Sequence, residues 1–162
     1  EKLRMRRRRE IRARRVRQKE ETEMTISEAA EKTGIAVTCF PGTVKSWENS
    51  AQAAEKITRL HLDEIRSLGL TAMIYYSGMG ALAGRRVLQL AGFRIPDDIS
   101  VISEDDGSIM ERLYPAGSIV TGEYLQQCRD ALDIIIGNQP SPGIRLYGYQ
   151  YIERESVKKL NQ

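Results

Sequence analysis

The most informative pattern of apolar and polar positions lies between Thr71 and Asp106. Residues 71–76 are mostly apolar or aromatic, as is typical of a buried strand. Residues 79–91 then carry apolar side chains close to helical spacing, and Gly92 stands where a helix C-cap belongs. After a Pro-Asp-Asp turn, residues 99–103 form a second apolar run. The pattern therefore predicts a strand, a helix and a second strand.

A helix that connects two buried strands is a crossover, so we expect the two strands to be parallel and the connection right-handed. In parallel sheets, ligands bind beyond the carboxyl ends of the strands. Here those ends carry Ser77–Gly78 and Glu104–Asp106. This edge of the sheet is therefore the predicted binding site.

Strand and helix patterns continue to alternate on both sides of this unit. This alternation predicts an α/β fold with a parallel sheet flanked by helices. Asn49 or Ser50 is the expected cap of the first long helix, and Gly34 the expected end of an earlier one. The remaining predicted elements are strands at 35–40, 118–121 and 145–152 and helices at 49–68 and 123–136.

Charge is distributed unevenly along the chain. Of the 25 Lys and Arg residues ten lie in residues 1–17, and of the 22 Asp and Glu residues two do. The remainder has 15 basic and 20 acidic residues, a net charge of −5, so it should not bind nucleic acid through its general charge. The basic run is compatible with an arm that contacts nucleic-acid phosphates, or with a solvated helix face or leader.

Candidate chemistry is sparse. The sequence has one histidine, His61, and its two cysteines, Cys39 and Cys128, fit a reducing compartment. Consecutive carboxylates at 104–106 point in different directions, which disfavours a catalytic or metal site. No apolar run is long enough for a membrane span, and the N-terminus is too polar for a signal peptide. We therefore expect a cytoplasmic protein that is not an enzyme, with no cofactor, no metal and no membrane partner.

One segment carries a family resemblance. Gly92 to Ile102 (GFRIPDDISVI), followed by Asp105–Asp106, resembles the signature of the LacI/GalR family of transcriptional regulators, where it lies in the effector-binding domain. Residues 115–120 and 152–156 resemble later parts of that domain, and 25–35 resembles its first helix. The resemblance divides the chain into a basic helical leader or arm (1–21), an effector-binding domain (22–157) and a tail (158–162).

The resemblance implies a periplasmic-binding-protein-like fold of two lobes around a ligand cleft. This chain matches mainly the C-terminal lobe, and the first lobe is missing or incomplete. The expected partners are a small effector of the sugar or nucleoside class, a second copy of the chain, and DNA contacted through a headpiece that this chain lacks. In the family the segment matching 122–140 packs on the first lobe, so we expect helix 123–136 to be covered by another copy or exposed.

The resemblance also assigns candidate ligand contacts. Asp105 matches the family's ligand-gripping aspartate, although a turn cap is the alternative, and Trp47 matches an aromatic at the cleft mouth, although a core or interface anchor is the alternative. Thr22 replaces an arginine that often clamps ligand, and Ser77–Gly78 replace an Asn-Asp pair. Gly122 stands where a polar contact is common. The full candidate set is Asp105, Trp47, Ser77, Thr22 and Tyr124.

The leading functional hypothesis is the effector-sensing and dimerisation region of a LacI/GalR-like regulator, in which ligand binding in the cleft biases the spacing of the DNA-binding heads. The alternative is a ligand-independent dimerisation module whose basic arm contacts nucleic acid. A third hypothesis, a periplasmic-type solute-binding protein, is disfavoured because this sequence shows no export signal.

Overall fold

The computed structural model describes residues 28–42, 48–104, 107–138 and 145–159. It divides the chain into two compact units, Glu1–Pro41 and Gly42–Gln162. In the first unit, residues 28–33 are helical and end at Gly34, whose φ of 68° only glycine adopts at little cost. This confirms the predicted stop.

The second unit contains a mixed α/β fold with one four-stranded sheet. Its elements, in chain order, are α1 (Ser50–Leu60), α2 (Leu62–Ser67), β1 (Ala72–Tyr75), α3 (Gly78–Leu90), β2 (Ser100–Glu104), α4 (Gly107–Glu111), β3 (Ser118–Gly122), α5 (Tyr124–Ile135) and β4 (Tyr149–Ile152). None of the helices in the described ranges has the length and hydrophobicity to span a bilayer.

The sheet has the strand order β1-β2-β3-β4. β1 pairs with β2 and β2 with β3 in parallel, which confirms that a crossover joins the two predicted strands. The expectation that both strands are buried is wrong for β1, which is an edge strand whose Ala72 and Ile74 are exposed and of which only Tyr75 is buried. β4 pairs antiparallel with β3, so the expectation of a fully parallel sheet is wrong at this strand. A single antiparallel edge strand on a parallel sheet is a common arrangement, and strand propensity carries no information about direction.

Three further predictions need correction. Residues 35–40 have strand composition but form no strand, because propensity does not supply the neighbour that a strand must pair with. The helix predicted at 49–68 is two helices that meet at His61. The short helix α4 falls in a segment that reads as a loop, because five residues are too few for a periodic pattern.

Helix α1 begins with a capping box. The Gln52 amide donates to Asn49 Oδ1 at 2.9 Å, and the Asn49 amide donates to Gln52 Oε1 at 3.1 Å. Two of the amides that a helix start leaves unpaired are thereby satisfied. The structure therefore confirms Asn49, rather than Ser50, as the cap.

Helix α3 packs on the sheet through a contact between Gly84 and Tyr75. A Cβ atom on Gly84 would lie 2.2 Å from Tyr75 Cζ, so the tyrosine ring occupies the space of a side chain. The Tyr75 hydroxyl forms a buried hydrogen bond of 3.0 Å with Thr58 of α1. Burial raises the pKa of Tyr75 to about 12, so the phenol stays neutral at physiological pH. One side chain thus joins β1 to two helices.

The segment 153–158 closes the amino ends of β2 and β3. Ser156 Oγ accepts from the Ser118 amide at 2.7 Å and donates to the Val101 carbonyl at 2.6 Å. The Ser156 backbone adds bonds from its amide to the Ala116 carbonyl and to its carbonyl from the Val101 amide. This fully buried serine therefore bridges two strands at the end of the sheet opposite the predicted site.

We predict that Gly84→Ala destabilises the fold by about 1–3 kcal/mol, because the new methyl group must displace the Tyr75 ring. Helix propensity alone predicts the opposite sign, a gain of about 1 kcal/mol. Urea denaturation measures the difference. Gln89→Ala, on the exposed face of the same helix, is the control and should be nearly neutral. A Gly84→Ala chain as stable as the parent would contradict the contact.

We predict that Ser156→Ala costs about 1–3 kcal/mol, because it leaves the buried Ser118 amide without its acceptor. Thermal and urea unfolding measure this cost. Ser67→Ala removes an exposed hydroxyl that donates to a carbonyl within its own helix, and it should change stability by less than about 0.5 kcal/mol. Equal effects of the two substitutions would show that Ser156 does not bridge the strands.

Candidate functional site

The candidate site lies where three adjacent parallel strands end. The final residues of β1, β2 and β3 are Tyr75, Glu104 and Gly122. Since β1 pairs with β2 and β2 with β3, these ends meet at one edge of the sheet. Two interstrand spacings of about 4.8 Å place β1 and β3 roughly 10 Å apart there, a span that suits a small ligand.

Ser77 follows β1 at this edge and caps helix α3. Its Oγ accepts a hydrogen bond from the Gly80 amide at 3.0 Å, and its extended backbone is that of an N-cap. The hydroxyl oxygen is therefore engaged in the fold, while the hydroxyl hydrogen can still be donated. The structure explains why serine suits this position, and a ligand contact of Ser77 stays a prediction.

Tyr124 begins helix α5 directly after β3 and lies beside Gly122. A Cβ atom on Gly122 would be 3.3 Å from Tyr124 Cζ and 3.5 Å from Gln127 Nε2. Any larger residue at 122 would press on the tyrosine. Gly122 therefore lets the aromatic ring lie close to the end of the strand, where part of its surface is accessible.

An open depression of about 460 Å³ surrounds this tyrosine, and we call it the Tyr124 depression. The antiparallel pairing of Thr121 with Gln150 brings β4 into its wall. Most of its lining side chains can form hydrogen bonds, and one is aromatic. The lining residues are Gly122, Glu123, Tyr124, Leu125, Gln126, Arg129 and Gln150.

Of the residues that line the depression, Tyr124 is among the candidates predicted from the sequence, whereas Gln126, Arg129 and Gln150 are not. Gln126 and Arg129 are three residues apart on a helix, so they share a face, and that spacing was a usable signal. The position of Gln150 depends on the direction and register of β4, which the sequence did not predict.

The other candidate contacts lie outside the described residues. These are Asp105, Trp47 and Thr22, and their ligand roles stay predictions. The structure does place the preceding residue, Glu104, as the last residue of β2, half-buried and paired with Val120. Position 105 therefore follows the central of the three parallel strands.

The described edge carries several groups that can form hydrogen bonds with a ligand. It offers an aromatic ring, two primary amides, a guanidinium and a carboxylate, which together can donate to and accept from ligand hydroxyls. Within the described residues, no group of three or more His, Cys, Asp or Glu side chains is arranged to hold a metal ion. An α/β ligand-binding domain is the class that this fold and edge define.

Comparison with known proteins places this class in a family. Residues 4–157 match the model of the periplasmic binding protein-like domain, and the chain belongs to that family. The HTH-type transcriptional regulator GalR of Streptococcus thermophilus is 32% identical over 82 residues, which is 48% of this chain and 25% of that protein.

Two solved structures of transcriptional regulators are similar in fold to this chain. A LacI family regulator from Bifidobacterium animalis subsp. lactis is 25% identical with a TM-score of 0.68, over 83% of this chain and 48% of that one. The transcriptional regulator CelR, in complex with cellobiose, is 24% identical with a TM-score of 0.62, over 80% and 39%. The chain thus spans between a quarter and a half of these relatives.

These comparisons confirm the resemblance to the effector-binding domain of LacI/GalR regulators and the periplasmic-binding-protein-like fold. The named relatives are transcriptional regulators rather than enzymes, in agreement with the expectation from sequence.

Proposed function

We propose that this chain is the effector-sensing and dimerisation region of a LacI/GalR-like transcriptional regulator. It binds a small sugar-like or nucleoside-like effector at the carboxyl edge of β1–β3. The observation that carries the proposal is the Tyr124 depression at that edge, in a chain of the periplasmic binding protein-like family. A cellobiose complex of the similar regulator CelR supports a sugar as the first ligand class to test.

The chemistry of the depression suits a hydroxylated ligand. The Tyr124 ring can stack on the apolar face of a sugar or a base, and the amides of Gln126 and Gln150 can bond ligand hydroxyls in either direction. Arg129 and Glu123 add one donor group and one acceptor group of opposite charge. This mixed lining suits a neutral ligand that combines hydroxyl groups with an apolar ring face.

The proposed mechanism is a shift between conformations. A ligand that contacts the carboxyl edge of this lobe and a second lobe stabilises one arrangement of the two. In a dimer, that arrangement changes the spacing of the DNA-binding heads and thereby the affinity for DNA. The apolar side chains of α5 are available for the contacts that such an assembly needs, since Leu125 and Ile135 are 76% and 78% exposed.

We predict that cellobiose, lactose or adenosine binds the chain with saturable affinity, and that Tyr124→Ala weakens this binding. Stacking on an aromatic ring contributes about 0.5–1.5 kcal/mol, so the Kd should rise roughly two- to twelve-fold. Isothermal titration and intrinsic tryptophan fluorescence measure the affinity. Tyr114→Ala is the matched control, because Tyr114 is 90% exposed and precedes β3, at the other end of the strand.

Each outcome of this titration decides between functions. Equal effects of the two tyrosine substitutions would place the ligand elsewhere and contradict the proposed site. If none of the three probes binds, and the chain instead binds DNA in a salt-sensitive manner that is lost on deletion of residues 1–17, the alternative of a ligand-independent module with a basic arm is favoured.

A further inference from the structure

Helix α5 is attached to the rest of its unit in an unusual way. Its large apolar side chains are exposed except for the half-buried Ile134, and the one residue of the helix that is fully buried is an acid, Asp130, which is 8% exposed. The close packing of helices in this unit involves α1, α3 and α4, and α5 takes no comparable part in it. Contacts to a buried carboxylate therefore attach α5 to its unit, whereas buried apolar side chains attach the other long helices.

The Asp130 carboxylate accepts hydrogen bonds and forms an ion pair with residues from two segments of the chain. Tyr147 Oη donates to Oδ2 at 2.8 Å, and the Arg145 guanidinium forms an ion pair with the same oxygen. On its own helix, Gln126 Nε2 donates to Oδ1 at 2.7 Å. The bonds from Tyr147 and Gln126, with the nearby Arg145 charge, hold the pKa of Asp130 below its usual value. The carboxylate is therefore ionised at neutral pH and linked by charge-assisted hydrogen bonds.

These contacts lie directly behind the Tyr124 depression. Gln126 lines the depression and is one of the three partners of Asp130. Arg145 and Tyr147 belong to the segment that leads into β4, where Gln150 lines the opposite wall. One carboxylate thus links both walls of the depression, the first turns of α5 and the entry of β4.

We propose that Asp130 is a positioning residue that fixes helix α5 against residues 145–148 and thereby shapes the effector site. The expected effect on ligand binding rests on the proposed function, whereas the attachment of the helix is independent of it. Gln126 and Tyr124 occupy the first turn of this helix, and Gln126 itself donates to the Asp130 carboxylate, which couples this turn to Arg145 and Tyr147. Without it, α5 moves relative to β4 and the two walls of the depression separate.

The test compares Asp130→Ala with Asp130→Asn and Asp133→Ala in the full 162-residue chain. Asp133 is the matched control, an aspartate on the same helix whose side chain forms no hydrogen bond or ion pair with a described residue. The first measurement is amide hydrogen exchange, which needs no ligand. Asp130→Ala should speed exchange in α5 by about tenfold or more. Exchange in β1–β3 and the unfolding midpoint should stay at parent values.

Asp130→Asn keeps one acceptor and the shape of the side chain, so it should restore part of the protection in α5, and Asp133→Ala should match the parent. The second measurement is the Kd for cellobiose, which should rise with Asp130→Ala and recover partly with Asp130→Asn. A general structural defect would instead lower the unfolding midpoint and would not be rescued by the amide.

The outcomes separate this inference from the proposed function. Unchanged exchange in α5 after Asp130→Ala would overturn the attachment, whether or not any ligand binds. Faster exchange with an unchanged Kd for cellobiose would overturn the positioning role. A parent chain that binds no probe would count against the proposed function, and the exchange data would still decide how α5 is held.

Discussion

The packing of Tyr75 beneath Gly84 is the contact on which the candidate site depends. It holds α3 directly on β1, and the Thr58 hydrogen bond extends the same contact to α1. Because α3 begins immediately after β1, its seating fixes Ser77 as a cap at the end of that strand. Parallel pairing then aligns the end of β1 with the ends of β2 and β3. A small residue at one helix position thus lets α3 lie directly on β1, next to the edge where the three strands end.

The two ends of the sheet differ in how their polar groups are used. At the amino end, Ser156 and its neighbours satisfy strand amides and carbonyls with buried hydrogen bonds, so that end is closed. At the carboxyl edge, amide, carboxylate, guanidinium and phenol groups surround an open depression. Buried polar groups are normally paired, and accessible ones can exchange water for ligand. The proposed effector site lies at the end of the sheet whose polar groups are accessible.

The strongest local patterns in the sequence predicted structure well. The strand–helix–strand unit is present with parallel strands, because apolar runs, turn residues and a helix of crossover length all specify the same arrangement. Asn49 and Gly34 act as expected, because caps and helix stops depend on local chemistry. The family resemblance, rather than periodicity, identified the class of binding domain.

The features that the sequence failed to predict depend on distant partners. Contacts with residues distant in the sequence, which a local pattern cannot predict, set three features. These are the direction of β4, the absence of a strand at 35–40 and the break at His61. The same holds for the site, where Gln150 reaches the depression only through the register of β4. Helix α5 was expected to be covered by another copy or exposed, and in this chain its leucines and Ile135 are exposed.

The proposed effector site is tested most directly by locating the bound ligand on the sheet. Two-dimensional amide NMR spectra of the labelled chain, recorded during titration with cellobiose, report which backbone positions respond. We predict that the shifts concentrate at Ser77, Gly122, Tyr124 and Gln150, at the carboxyl edge of the parallel strands. Shifts concentrated instead around Ala116 and Ser156, at the closed amino end, would contradict it.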